Sequence, residues 1–422
     1  MATCARIMLK NRLLAQREQV NAWFDARFRG APAGNVPFYS SFDLRDADYK
    51  LAPVDANLFP AGFNNICADD LEHGPQFVKA AFERILGRVP RTVLLVPENH
   101  TRNAYYVESL YELRQLLRNA DMRVELGWWE NEEERKHSAE GPDHLVHLKT
   151  PEGHEVIATP LRRVGDRLVI EGFDPEVVLI NNDYSAGCPP IYDGLKQPVL
   201  PSPRLGWHTR RKDRFFHHYN AVVADFAAAV GVDPWAFSVA TEKVSGVDFV
   251  EGRGIDALAD TATRMLERMK REYEHHCITQ KPFVFIKNNA GTYGIGIMKI
   301  YDPQELFELN RRDRNKMQVG KGNRIIDEVI VQEGVPTRFV ENNEAAEPVI
   351  YMMGTELIGG CLRKHPGRGA DENLNSRGMV FQKLCMADLR READRDMELE
   401  LVYGTLARLS AAALIEELKE SL

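Results

Sequence analysis

The stretch from Lys281 to Ile300 constrains this chain more than any other. Phe283 to Ile286 is a short aromatic and β-branched run that reads as a buried strand. Lys287 closes it, a nine-residue loop carrying Gly291, Gly294 and Gly296 follows, and Ile297 to Ile300 reads as a returning strand. Glycines let backbone N–H groups approach an anion and take positive φ without a Cβ clash. A lysine at the strand end adds a point charge suited to phosphate. The loop is therefore a phosphate-binding flap or a surface hairpin with coincidental glycines. It is not a P-loop, which needs Gly-Lys-Ser/Thr running into a helix, and a dinucleotide fingerprint would also open a helix. A protein-kinase glycine loop precedes its lysine and requires His-Arg-Asp and Asp-Phe-Gly downstream, which the sequence lacks.

The 422 residues are enough for two or three domains. Apolar residues at 44% and charged residues at 27% are ordinary for a globular chain. A net charge of −8 leaves no electrostatic footprint for nucleic acid. No apolar run reaches the roughly 18 residues of a membrane span, and Met1 to Lys10 lacks a signal-peptide core. Neither nucleic acid nor membrane is an expected partner; a homo-oligomer stays open. The 6 cysteines are scattered, without a C-x-x-C pair. That argues against a zinc knuckle or a disulfide scaffold and for a reducing cytoplasm.

Leu13, Val20 and Phe24 recur at helical spacing and predict one helix over 6–28. Residues 37–66 mix Arg45, Lys50, Asp55, Asn57, Asn64 and Asn65 with aromatics, without periodicity. Such a segment suits recognition of an amino-acid zwitterion, or is a solvated loop whose Asn and Asp cap turns. Thr92–Pro97, a helix marked by Tyr106, Leu110, Leu113 and Leu117, and Arg123–Trp128 read as a β-α-β unit. Its polar run Glu98–Asn103 sits at a strand end, where open α/β sheets bind ligands. Residues 144–172 read as hairpins turning at Glu152-Gly153 and Gly165-Asp166.

Glu176–Ile180 is a strand ending in Asn181-Asn182-Asp183. Asp183 could accept an ammonium or hold a metal, although a turn-forming role is the commoner one. Three prolines over 197–203 predict a linker. The basic run Arg210-Arg211-Lys212 opens a helix through Val230; it could meet phosphate or carboxylate, or simply be a charged helix start. A second helix spans 258–273, its Met and Leu stripe reading as core. Glu328–Glu333 is a strand ending in an acid before Gly334. Glu347–Arg363 is a strand–turn–strand turning at Gly354-Thr355, Asp371–Gly378 is dense in acceptors, and a helix over 398–418 closes the chain.

The glycine hairpin, the Val331-Gln332-Glu333-Gly334 hinge, the strand pair ending in Arg363 and the Asn373-Leu374-Asn375 turn arrive in the order seen in ATP-grasp ligases. Through most of its length the chain resembles the bacterial ATP-grasp-like glutamate–cysteine ligases. The resemblance is carried by Asn57-Leu-Phe-Pro-Ala-Gly-Phe-Asn-Asn65, Lys287 to Gly296, Glu347-Pro-Val-Ile-Tyr351 and Asn373-Leu-Asn375. It implies an α/β (α+β), ATP-grasp-like fold: an N-terminal α/β substrate domain at 1–205, a lobe bearing the glycine flap at 206–333, and a C-terminal lobe at 334–422. It also implies cytoplasmic, ATP- and Mg2+-dependent ligation of glutamate, through its γ-carboxylate and an acyl phosphate, to cysteine. The product would be γ-glutamylcysteine, the first intermediate of glutathione biosynthesis.

In that reading Lys287 and the amides around Gly291, Gly294 and Gly296 hold ATP, Glu333 meets the ribose, and Arg363 stabilises the acyl phosphate. Arg45, Asp55, Asn57, Asn65 and Asp183 would grip the amino acids. One departure stands out. ATP-grasp proteins carry a metal-binding Glu-x-Asn strand after the helix that here spans 398–418, and the sequence ends at Leu422. Glu372, Asn373 and Asn375 are then the nearest metal candidates. The alternatives are another ATP-grasp carboxylate–amine ligase, such as a glutathione synthetase-like enzyme, or a non-catalytic ATP-binding module. The full set of Lys287, Glu333, Arg363 and Asn373 disfavours the module.

Overall fold

Three sheets, each setting aliphatic side chains against helices, frame the chain in a computed structural model that describes residues 5–98, 103–129, 145–291, 294–320, 325–341, 344–385 and 397–421. The first sheet contains β1 (Tyr39–Asp46), β2 (Leu51–Asn57), β15 (Val340–Glu341), β16 (Glu344–Met353), β17 (Glu356–Pro366) and β18 (Val380–Leu384). Its order is β18-β17-β16-β1-β2, with β15 beside β16, and every pairing is antiparallel. Side chains alternate across a strand. On β1, Phe42 and Leu44 enter a core shared with Ile350, Met352 and the C-terminal helix residues Leu406 and Leu414. Asp43 and Arg45 therefore project from the opposite face.

The second sheet holds β3 (Thr92–Pro97), β4 (Arg123–Trp128), β5 (Val146–Lys149), β6 (Glu155–Pro160), β9 (Val177–Asn181) and β10 (Val199–Leu200), in the order β10-β9-β3-β4-β6-β5. It is parallel except at the β5–β6 hairpin. The helix Ala104–Asn119 makes the expected crossover between β3 and β4, and the Asn103 side chain caps its start by accepting from Tyr106 N. The rest of the polar run before it, Asn99 to Arg102, lies outside the described residues. A small ribbon pairs β7 (Arg162–Val164) with β8 (Arg167–Val169). The third sheet, order β11-β14-β12-β13, comprises β11 (Thr241–Ser245), β12 (Val284–Asn288), β13 (Ile297–Ile300) and β14 (Glu328–Glu333). The helix Ile255–His275 packs Leu258, Ala262, Met265 and Met269 against it.

Four features differ from the sequence reading. The first helix is two, Ala5–Ala15 and Arg17–Arg29, because Gln16 at φ −124° and ψ 29° leaves helical geometry. The proline-rich segment 197–203 is not a free linker. It contains β10, a parallel edge strand whose neighbour Pro198 accepts from Val178 N, so its prolines sit where the sheet needs no donor. Cys67 and Cys385, 318 positions apart, form a disulfide, which removes the cysteine argument for a reducing compartment; spacing along the chain gives no hint of it, because the fold alone brings the two together. Finally, the hairpin β1–β2 from near the N-terminus completes the sheet of β16–β18, so the expected units 1–205 and 334–422 share a sheet. Among the described residues no helix is long and apolar enough to cross a membrane.

Candidate active site

The polar face of the first sheet looks across a cleft at β12 and its glycine flap. Asp43, Arg45, Asp55 and Glu347 line one wall; Lys212, Lys287, Asn288, Gly291 and Gly294 line the other, with Asn373 and Asn375 at the rim. The strand register builds the first wall. Asp43 faces Asp55 across β1–β2, and Glu347 faces Arg363 across β16–β17.

These side chains form a buried ionic network. Arg363 Nη1 lies 2.5 Å from Asp43 Oδ2 and 2.8 Å from Glu347 Oε1, and Nη2 lies 3.3 Å from Asp43 Oδ1. Arg45 Nε lies 2.5 Å from Glu347 Oε2, and its two terminal nitrogens donate to Glu372 O at 2.8 Å and Ala370 O at 2.9 Å. Burial raises the pKa of Asp43; Arg363 opposes the rise while the charges of Glu347 and Asp55 add to it. For Glu347 burial is outweighed by Arg45 and Arg363 together, and its carboxyl is held below the usual range. Among the described residues, Arg363 Nε is buried without a hydrogen-bond partner. An unmet buried donor is costly, and this one suits an anionic ligand.

Two lysines supply the charge of the opposite wall. Lys287 Nζ donates to Gln332 Oε1 at 2.7 Å and to Val54 O at 3.2 Å. Burial, and then the neighbouring Lys212 cation, pull its pKa down to about 7. Lys212 opens the helix Lys212–Val230 and pairs with Asp55. Its place is fixed by the flap: Lys212 N donates to Asn289 O at 2.8 Å, and Asn289 Nδ2 to Asp213 Oδ1 at 2.8 Å. Burial alone would raise the pKa of Asp55, but Lys212 more than offsets it.

The flap rests against the 373–375 turn. Gly294 takes φ +67°, and a Cβ there would lie 1.9 Å from Asn375 O. Asn373 Nδ2 donates to Gly294 O at 3.4 Å. Only glycine fits both the backbone and the space.

Of the sequence-derived candidates, Lys287, Gly291, Gly294, Arg45, Asp55, Asn373 and Asn375 meet at this cleft. Arg363 lies beside it through its pairs with Asp43 and Glu347, and Gly296, also at φ +67°, carries the flap back toward β13. The remaining candidates lie elsewhere. Asn57 ends β2 opposite Ser41. Asn65 belongs to a loop tied to the second sheet's helix by Gly62 N donating to Ser109 Oγ at 2.7 Å. Asp183 Oδ1 accepts from Ser185 N at 3.1 Å and Ser185 Oγ at 2.6 Å, an Asx-type turn. Glu333 is 3% exposed, with one oxygen held by Lys50 Nζ at 2.7 Å and the other by Ala240 N at 3.1 Å. Glu372 turns to Arg368 at 3.2 Å and Gly369 N at 2.8 Å.

Asp43 and Glu347 line the cleft without a role from sequence reasoning, and Lys212 lines it after a reading that left its basic run open between phosphate or carboxylate binding and a charged helix start. The alternation Asp43-x-Arg45 within an aromatic run was the available signal for the first. Lys212 was hidden in a basic run whose other members are structural: Arg210 pairs with Glu417 at 3.0 and 2.9 Å, and Arg211 with Glu328 at 3.4 Å. For a hard divalent cation, Asp43 and Asp55 are the fitting donors, two carboxylates side by side on one wall whose mutual repulsion a cation would relieve.

A family model described as glutamate-cysteine ligase matches residues 10–418. A crystal structure from Methylobacillus flagellatus KT, provisionally assigned as a gamma-glutamylcysteine synthetase, is 37% identical and superposes with a TM-score of 0.88, covering 100% of this chain and 98% of that one. The D-cycloserine synthetase DcsG aligns at 12% identity and a TM-score of 0.39, over 78% of this chain and 82% of its own. D-alanyl-alanine synthetase A of Vibrio cholerae aligns at 11% and 0.28, over 75% and 79%. The last two scores are too low to bear on the fold. No curated protein sequence matches the chain.

Proposed function

The chain belongs to the glutamate–cysteine ligase family, and from that premise we propose that it spends one ATP to join the γ-carboxylate of glutamate to the amine of cysteine through an acyl phosphate. The observation that carries this reading is the meeting, at one cleft, of two lysines, a glycine flap and paired carboxylates, with the arginine that has an unmet donor beside it, paired to Asp43 and Glu347. Phosphoryl transfer is chiefly positioning and charge neutralisation. Lys287, Lys212 and the flap amides hold the phosphates in line with the γ-carboxylate. Arg363 acts on the charge of the acyl phosphate and of the tetrahedral oxyanion that follows when the amine attacks. Arg45 acts through Glu347, holding it against Arg363. No covalent nucleophile is called for. Cys361, nearest to the network, is 0% exposed and its thiol is pushed up to about 12 by burial, so it stays protonated packing.

An ATP-grasp arrangement fits these parts once the N-terminal hairpin is counted with the C-terminal strands. Asp55 on β2, packed beside β1, is read as taking the place of the acidic residue of the Glu-x-Asn strand that the sequence reading sought after the last helix. Magnesium, when bound, would be held by Asp43 and Asp55 rather than by Glu372, and would neutralise phosphate charge. Asn65 and Asp183 lie beside the second sheet, the side from which the amino acids are proposed to enter. The product would be consumed by a second ligation to glycine, as in glutathione biosynthesis, in the cytoplasm where ATP is available.

Trapping the intermediate tests this directly. With ATP, Mg2+, glutamate and hydroxylamine but no cysteine, γ-glutamyl hydroxamate and ADP are expected in equal amounts. ADP formed without hydroxamate would contradict the acyl phosphate.

A further inference from the structure

The tip of the β1–β2 hairpin, residues 46–51, performs no role in the chemistry above, yet its Asp46, Lys50 and Leu51 are buried where the two sheets that form the cleft meet. Lys50 is 1% exposed. Its Nζ donates to Glu333 Oε1 at 2.7 Å and lies 4.3 Å from the centre of the Trp235 ring. Tyr49 OH meets Tyr273 OH at 3.0 Å and Gln280 Oε1 at 3.0 Å. On the other side of the tip, Asp46 Oδ2 accepts from Arg338 Nε at 2.9 Å and from Tyr403 OH at 2.6 Å, and Asp46 O accepts from Arg338 N at 2.7 Å.

Glu333 ends β14 and Arg338 precedes β15, so these contacts hold both ends of the segment that crosses from the third sheet to the first. The residue beside Glu333 matters as much. Gln332 holds Lys287 Nζ through Oε1 and donates from Nε2 to Thr241 Oγ1 at 3.1 Å. The hairpin that carries Asp43 and Asp55 is thus fastened by its tip to the strand end that orients Lys287. A buried ion pair contributes little net stability compared with apolar substitutes, while fixing geometry is its better-supported use.

We propose that Lys50, through Glu333, is a positioning residue that sets the distance between Lys287 and the carboxylate wall, and so governs nucleotide binding without touching the nucleotide. This rests on the cleft being the nucleotide site, as proposed above.

The test measures the dissociation constant of ADP with Mg2+ by calorimetry for Lys50→Met, Glu333→Gln, the double variant and Lys50→Arg. A misplaced charge wall is expected to weaken ADP by about tenfold or more in both single variants. The double variant should be no worse than either single, because the two residues act as one unit. It leaves no charge buried alone, so its melting temperature is expected near that of the wild type. Lys50→Arg should recover most of the affinity, and the KM values for glutamate and cysteine should stay within about twofold of wild type in every variant. A folded double variant with wild-type ADP affinity would overturn the proposal. So would a loss in Lys50→Met without one in Glu333→Gln, which would make Lys50 a direct nucleotide contact. If the single variants do not fold, Tyr49→Phe loosens the same tip without burying a charge, and ADP affinity unchanged there and in the double variant would overturn it equally. Because the readout is ADP binding, failure of the wild-type chain to turn over glutamate and cysteine would fault the reaction alone.

Discussion

Asp43 and Asp55 face each other in register on β1 and β2, yet each is neutralised from a different part of the chain: Asp43 by Arg363 of β17 in its own sheet, Asp55 by Lys212 at a helix start across the cleft. The pair is the point at which the two walls are electrostatically joined. A divalent cation there would compete with both partners and would free Lys212 and Arg363 for the reacting phosphate.

Asp55→Asn is therefore expected to lower kcat by about a hundredfold or more, the scale of removing one group that acts on developing charge, and to raise the Mg2+ concentration needed for half-maximal rate. Titrating Mg2+ against ADP release checks this. An unchanged Mg2+ requirement would return the metal to Asn373 and Asn375.

Lys287→Met should keep its fold and lose nucleotide affinity by about 1.5–3 kcal/mol, the range for a charge-assisted contact. Equilibrium binding of ADP reads it. The pH dependence has a definite sign. The folded pKa of about 7 lies below the unfolded value of 10.5, so the cost of burying the cation is fully present below pH 7. It is relieved as pH rises through the window from 7 to 10.5, where the unfolded chain holds more protons. Denaturant midpoints should show the wild type gaining on Lys287→Met across that window, and ADP affinity of the wild type should fall above pH 7.

Arg363→Ala removes the shared partner of two buried carboxylates, so a loss of about 3–5 kcal/mol in stability is expected. Arg363→Lys keeps the charge and separates stability from rate. Its kcat should fall by about a hundredfold with ATP affinity little changed. A raised KM for glutamate at normal kcat would make Arg363 a substrate-binding group instead.

Gly294→Ala places a Cβ 1.9 Å from Asn375 O, on backbone at φ +67°. The flap can no longer seat on the 373–375 turn. Its kcat/KM for ATP should drop by about tenfold or more, as expected when closure over the phosphates is lost. Because the flap tip adds little to the core, the melting temperature should change by only a few degrees.

Much of this arrangement is legible in the sequence, and the reasons for the rest are physical. The flap was readable because glycine spacing and the strand patterns on either side are local. The β-α-β unit was readable for the same reason, as was the helix whose Leu258, Ala262, Met265 and Met269 form one stripe. The partnership of β1–β2 with β16–β18 was not, because strand pairing over some 300 positions leaves no periodic trace; Ser41 and Tyr351 are neighbours only in the folded chain. Lys212 and Arg210 look alike as sequence, and only burial against Asp55 in one case and Glu417 in the other tells them apart. Glu333 ended its strand as expected, but its carboxylate is spent on Lys50, a residue 283 positions away.

The most direct measurement of the central proposal is ADP release by the purified chain with ATP and Mg2+, comparing two substrate pairs. Glutamate plus cysteine should support rapid release that depends on both amino acids, with γ-glutamylcysteine accumulating in step. The pair γ-glutamylcysteine plus glycine should support far less, because a site built for one set of charged groups leaves buried partners unmet when they are absent or displaced. Faster turnover with the second pair, or ADP release indifferent to cysteine, would contradict the proposal.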